Sequence, residues 1–169
     1  RNDENTQLVF ASSSSIYGDD HNLPKQDGQY GHVLSPYAAS KRSDELIAEA
    51  FSNVYSQKVV GLRFFNVFGP RQNPDGPYAA VIPRWATSLL ANEDCTIFGD
   101  GETSRDFTYV KNVIYGLLLA VKCDNKEAYG KTLNLACGSS TSLNDLYHRW
   151  KESFGEPRPE SCQTQSSQA

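Results

Sequence analysis

Tyr37 and Lys41 stand four residues apart in the run Ser35-Pro36-Tyr37-Ala38-Ala39-Ser40-Lys41. Residues at that spacing share a helix face, so an ammonium comes close to a phenol. A neighbouring positive charge favours the phenolate, and a tyrosine so placed is a usable general base for a substrate alcohol. A block of four serines, Ser12 to Ser15, lies upstream. A hydroxyl presented from a strand end there can hydrogen-bond the same substrate oxygen.

These residues need a strand and a helix to hold them. Leu8-Val9-Phe10-Ala11 reads as a short buried strand that runs into the serines. The polar stretch 19–35 is a long loop. Ser35 then caps a helix with Pro36 in its first turn, and Leu46, Ile47, Ala50, Phe51 and Val54 carry that helix to about Ser56. Val59 to Phe65 is β-branched and aromatic, a second buried strand, followed by an irregular turn from Asn66 to Arg71. A helix is predicted over 78–92, with Pro83 as a kink or second start. Further on, the pattern predicts a short strand at Cys95–Phe98, a tight turn at Gly99-Asp100-Gly101, extended chain from Thr103 to Tyr109 and a helix at Val110–Lys122. A strand at Thr132–Ala136 and a helix at Leu143–Phe154 capped by Ser142 complete the series. Alternating strands and helices imply an α/β fold with a doubly wound parallel sheet.

The chain has 169 residues and a formal net charge of −4, with its basic residues scattered. Nucleic-acid binding needs a clustered basic face, so such a partner is not expected. The longest apolar run, Leu117 to Val121, is too short to span a bilayer, and no secretory leader is expected. Cys95, Cys123, Cys137 and Cys162 lie far apart without a C-x-x-C pair, so neither a metal site nor a disulfide framework is predicted. Free thiols in a cytoplasmic protein are the simplest reading. With no methionine anywhere and Arg at position 1, the chain reads as a fragment of a longer protein. From Gly155 onward the composition turns to Pro, Glu, Ser and Gln, and a disordered tail is predicted for 155–169.

Four motifs occur in order: Ser-Ser-Ser-Ser-Ile-Tyr-Gly (12–18), Ser-Pro-Tyr-Ala-Ala-Ser-Lys (35–41), Leu-Arg-Phe-Phe-Asn-Val-Phe-Gly-Pro-Arg (62–71) and Ser-Arg-Asp-Phe-Thr-Tyr-Val (104–110). Together they resemble the extended short-chain dehydrogenase/reductase family, within it the nucleotide-sugar epimerases and dehydratases. The stretch 73–85 is most similar to the UDP-N-acetylglucosamine 4-epimerase branch, although Thr96-Ile97-Phe98 stands where that branch tends to be polar. The resemblance covers about residues 7–154. It implies the C-terminal part of a Rossmann-like sheet over 1–70, interleaved with later strands, and most of a small substrate-binding lobe over 71–154. The family's glycine-rich loop, G-x-G-x-x-G or a close relative, does not occur in the sequence.

The resemblance further implies NAD as cofactor, a UDP-sugar as substrate, and a homodimer in the full-length parent. Tyr37 would take the proton of the sugar's 4-hydroxyl during oxidation to a 4-keto sugar, which is then re-reduced from the other face. Lys41 would hold the nicotinamide ribose and Ser13 would orient the 4-oxygen, with Ser14 and Ser15 beside the sugar. Phe64 and Phe65 would flank the nicotinamide, and Asn66 would contact the sugar or diphosphate. Ala80 and Val81 are placed for the uracil, Trp85 for either the substrate or helix packing, and Arg105 for the diphosphate, unless Arg105 is a partner of Asp106 or Asp100. Two other readings stay open. One is a dehydratase or decarboxylase of the same superfamily, for which Ser14-Ser15 lack the acid/base pair that dehydration needs. The other is a catalytically inactive truncated product.

Overall fold

The computed structural model describes residues 6–75, 80–154 and 163–165. In chain order the elements are β1 (Gln7–Ser13), a 3-10 turn (Ser14–Tyr17), α1 (Pro36–Tyr55), β2 (Lys58–Phe64), β3 (Val67–Phe68), α2 (Val81–Ala91), β4 (Thr96–Phe98), β5 (Ser104–Arg105), β6 (Thr108–Tyr109), α3 (Val110–Val121), β7 (Lys131–Leu135), β8 (Thr141–Ser142), α4 (Leu143–Phe154) and β9 (Gln163–Gln165). They form two compact, interleaved units: Arg1–Val67 with Thr108–Ala136, and Phe68–Phe107 with Cys137–Ala169. Among the described residues no helix is long and apolar enough to cross a membrane.

The first unit is built on a parallel sheet of order β1-β2-β7. Ser12 lies beside Arg63 and Ser13 beside Phe64, while Arg63 and Phe64 lie beside Asn134 and Leu135. Successive side chains of a strand alternate between faces. Val60 and Leu62 pack with Ala120 and Leu117 of α3, so Arg63, one residue out of phase, emerges on the opposite face, where it meets Glu45 of α1. The two helices therefore cover opposite faces of the sheet, as a parallel sheet requires. Gly61 is needed in the middle of β2, since a Cβ there would come within 2.5 Å of Thr132 Oγ1 and 2.6 Å of Phe10.

Helix α1 begins where its capping residues say it should. The Ser35 hydroxyl accepts the amide of Ala38 at 3.1 Å, and Pro36 occupies the first turn, where its missing N–H costs nothing. Its apolar stripe behaves differently from an ordinary amphipathic helix: Leu46, Ile47, Phe51 and Val54 are exposed, and the buried residues of the helix are Ala38 and Glu45.

The second unit packs α2 and α4 around β4. Ile82, Trp85, Leu89, Cys95, Ile97, Leu146 and Tyr147 form its core. Full burial of one such leucine is worth about 1.5–3 kcal/mol. Helix α2 starts at Val81, with Ala80 as its cap residue; the expected start at 78 lies outside the described residues. Pro83 falls within the first turn, among donors that have no intrahelical partner, so it neither kinks nor restarts the helix. The Ser142 hydroxyl accepts the amide of Asp145 at 3.0 Å, the expected cap of α4. Within the tail read as disordered, Gln163–Gln165 pairs in parallel with Thr96–Phe98. Strand pairing uses backbone groups, which a polar segment possesses as fully as an apolar one. The rest of 155–169 lies outside the described residues.

Candidate active site

In the first unit the carboxyl ends of β1, β2 and β7 converge, the place where open α/β sheets bind ligands. Ser13 ends β1 and turns its hydroxyl toward the next residues, accepting the amide of Ser15 at 3.2 Å. That bond caps the 3-10 turn and delivers Ser14 and Ser15 to the strand ends. The Ser15 hydroxyl is buried and has no hydrogen-bond partner. A buried hydroxyl without a partner costs about 1–3 kcal/mol, so it marks a place where a ligand oxygen would be accommodated.

Tyr37 sits in the first turn of α1 and is half-exposed; its phenolic hydroxyl makes no hydrogen bond to any described residue. Lys41, one turn on, reaches the sheet: its ammonium donates to the Ala11 carbonyl at 3.1 Å and to Asp44 Oδ2 at 3.2 Å. What the helix shows is Lys41 brought to β1, two residues before Ser13, with Tyr37 one turn earlier on the same face.

Phe64 is the last residue of β2 and packs against the Val60–Leu62 core. Phe65 donates its amide to the Leu135 carbonyl at 3.3 Å and lies 6.2 Å from the Tyr17 ring. Asn66 follows with φ of 31°, a left-handed backbone that asparagine tolerates better than most residues. Strained backbone of this kind concentrates at ligand sites. Ser13, Ser14, Ser15, Phe64, Phe65 and Asn66 are therefore brought together, with Tyr37 and Lys41 on the adjoining helix.

Sequence reasoning missed what lies beneath. Arg63 is 2% exposed and Glu45 is 6% exposed. Glu45 accepts from Arg63 Nε at 2.9 Å, from Arg63 Nη2 at 2.8 Å and from the Ser12 hydroxyl at 2.5 Å. Arg63 also donates to the hydroxyls of Tyr17 at 3.1 Å and Tyr30 at 3.0 Å, and pairs with Asp27 at 2.9 Å. Tyr17 in turn donates to Asn134 at 2.6 Å, and Tyr30 is sandwiched by a stacked Tyr17 ring and the Arg42 guanidinium, 3.7 Å from its centroid. Burial works to lower the pKa of Arg63, yet the bonds and charge of Glu45, with Tyr17 and Tyr30, raise it above the ordinary value. Burial pushes the Tyr17 hydroxyl up, against the opposing pull of Arg63 and Asn134. One signal was present: a charged residue inside the apolar run Val59–Phe65 must be paired if it is buried.

The remaining expected residues belong to the second unit. Ala80 and Val81 form the start of α2, which has no side-chain cap. Val81 packs against the core. Trp85 is 3% exposed; its indole N–H donates to the Thr96 carbonyl at 3.0 Å, and its ring meets Tyr147 edge-on at 5.9 Å. A buried indole with its one donor satisfied fits the helix-packing alternative for Trp85. Arg105 is exposed, donates to the Ser104 carbonyl at 3.0 Å and makes no ion pair with a described residue. Asp106 instead accepts the amides of Cys137, Gly138 and Ser139. Among the described residues no group of three or more His, Cys, Asp or Glu could hold a metal ion.

Comparison with known proteins adds an independent line. The profile of the NAD dependent epimerase/dehydratase family matches residues 1–136. The structure is similar to UDP-N-acetylglucosamine 4-epimerase from Methanobrevibacter ruminantium M1 in complex with UDP-N-acetylmuramic acid. That match has 37% identity and a TM-score of 0.82, over 94% of this chain and 52% of the other. It is also similar to UDP-glucose 4-epimerase with UDP-glucose from Thermotoga maritima, at 33% identity and a TM-score of 0.85 over 96% and 51% of the two chains. UDP-glucuronic acid 4-epimerase from Bacillus cereus in complex with NAD follows at 28% identity and 0.83, over 95% and 50%. The chain spans about half the length of each of these proteins.

Proposed function

Because the chain belongs to the NAD dependent epimerase/dehydratase family, we propose that Tyr37, Lys41 and Ser13 are the proton-transfer group of a cytoplasmic UDP-sugar 4-epimerase, acting on N-acetylated hexoses. The observation that carries this reading is the reach of Lys41 from α1 to the Ala11 carbonyl at 3.1 Å, which draws the first turn of the helix to the end of β1. Tyr37 takes the proton of the sugar's 4-hydroxyl and later returns it. Lys41 holds the nicotinamide ribose. Ser13 donates to the same sugar oxygen, and Asn66 contacts the sugar or diphosphate.

The donor set fits the nicotinamide riboside end of NAD. The unpartnered Ser15 hydroxyl, the unbonded Tyr37 phenol, the Lys41 ammonium and the partly buried rings of Phe64 and Phe65 offer polar and apolar contacts at one strand edge. When bound, NAD supplies the reversible two-electron oxidation of the 4-hydroxyl carbon. In the second unit, Ala80 and Val81 would meet the uracil and Arg105, an exposed guanidinium with no ion pair to a described residue, would pair with the diphosphate. The exposed stripe Leu46, Ile47, Phe51 and Val54 supports a homodimer formed through α1 in the complete enzyme.

The test joins the chain to the remaining half of a relative of which it spans about half and follows interconversion of UDP-N-acetylglucosamine and its 4-epimer. Tyr37→Phe should lower kcat by about 10²–10⁴-fold, with little change in stability because the hydroxyl has no hydrogen-bond partner among the described residues. Full activity in that variant would remove Tyr37 from the mechanism. A stable 4-keto product without epimer would favour the dehydratase reading.

A further inference from the structure

We propose that Glu45 and Arg63 are positioning residues that set the placement of the Tyr37–Lys41 group, an inference that rests on the proposed function for its catalytic consequence but not for its structural one. The argument starts from what holds α1 to the sheet. The stripe Leu46, Ile47, Phe51 and Val54 faces outward, and the buried residues of the helix are Ala38 and Glu45. Glu45 lies one turn beyond Lys41 and two beyond Tyr37, on the same face. Its carboxylate is held at three points: the Ser12 hydroxyl and two nitrogens of Arg63. Arg42 stands 3.5 Å from the same carboxylate.

Each anchor is the sequence neighbour of a site residue. Ser12 precedes Ser13, and Arg63 precedes Phe64; Tyr17, bonded to Arg63, lies against Phe65. Arg63 also gathers the loop ahead of α1 through Asp27 and Tyr30. A fork-to-carboxylate pair is directional, fixing angle and height as an apolar contact does not. A buried ion pair adds little stability over an apolar substitute, so what it supplies here is the register of α1 on the strand ends. That register is what lets Lys41 reach Ala11 from the face that also carries Tyr37.

The test uses Glu45→Gln in the 169-residue chain, with Ser12→Ala as a milder second variant. In Glu45→Gln, amide hydrogen exchange should accelerate about tenfold or more in 8–17 and 35–45 while staying within about twofold in α3 and β7. Lys41, released from the Ala11 carbonyl, should be acetylated by acetic anhydride about threefold faster or more. Ser12→Ala should give the same pattern at about twofold to threefold, and decides the matter if Glu45→Gln does not fold. A uniform acceleration across the first unit, or no change in either variant, overturns the proposal. In the completed, active enzyme Glu45→Gln should lower kcat about tenfold or more with KM within about twofold; an unchanged kcat would likewise overturn it. An enzyme inactive on every UDP-sugar offered would sink the proposed function alone, because exchange and acetylation are read without turnover.

Discussion

The Asp106 carboxylate accepts the Gly138 amide at 2.7 Å, with the amides of Cys137 and Ser139 at 3.0 and 3.2 Å. It clamps the loop that follows β7, whereas its neighbour Arg105 is exposed and makes no ion pair with a described residue. The two adjacent charges therefore have separable effects. Asp106→Ala should destabilise the second unit by about 1.5–3 kcal/mol, the scale of hydrogen bonds to a charged group. Arg105→Ala should stay within about 0.5 kcal/mol, as surface substitutions do. Urea unfolding followed by tryptophan fluorescence is suited to this, because Trp85 and Trp150 both lie in that unit. Equal losses in the two variants would show that Arg105 also serves the structure.

Affinity for NAD should be too weak to measure in the 169-residue chain alone. The residues proposed for the nicotinamide end are present, but the sequence has no G-x-G-x-x-G, the loop that brings backbone amides and a helix N-terminus to the pyrophosphate. Titration calorimetry giving a micromolar Kd would refute this and mean that the riboside contacts suffice.

What could be read from sequence, and what could not, divides by distance along the chain. Ser35-Pro36 announced α1 and Ser142 announced α4, because capping is a local interaction over three residues. The strands that end in the serine block and in Phe64 were legible from their apolar runs, and the parallel sheet places Ser13 beside Phe64. Glu45 and Arg63 were not, since nothing in the 18 residues between them says that one will meet the other across a helix–sheet interface. The outward stripe of α1 shows a related limit: periodicity reveals a face but not what covers it. For Trp85 the sequence left substrate contact and helix packing open, and the fold turns its indole onto Thr96.

Gly18 should not tolerate a side chain. Its φ is 57° and its ψ is −130°, a combination that L residues avoid, and a Cβ would fall 1.8 Å from the His32 carbonyl oxygen. The backbone conformation alone costs about 1–3 kcal/mol, and the clash with the loop before α1 adds to it. Gly18→Ala should lower the midpoint of the circular dichroism melt, while Gly28→Ala, with open space around its Cβ, should lower it less. The reverse order would mean that the loop relaxes at no cost.

The Asp27–Arg63 pair predicts a pH dependence whose sign is fixed. Burial works to raise the Asp27 carboxyl, but hydrogen bonds from Tyr30 and Arg63, with the charge of Arg63, hold it below the ordinary carboxylate value. A depressed carboxyl binds its proton less readily folded than unfolded, so the unfolded chain takes up more protons as acid is added. The stability that Asp27 contributes is therefore fully present above the unfolded value, near about pH 4. It is lost as the pH falls from there through the lower folded value. Because the carboxylate is largely open to solvent, at 67% side-chain exposure, the contribution is small and screened by salt. Asp27→Asn isolates it, since the other carboxylates titrate in both proteins and cancel in the difference. The Tm difference between wild type and Asp27→Asn should be constant above about pH 5 and shrink below about pH 4. A difference that stays constant down to about pH 3 would mean that Glu45 alone satisfies Arg63 and that the Asp27 contact adds no stability.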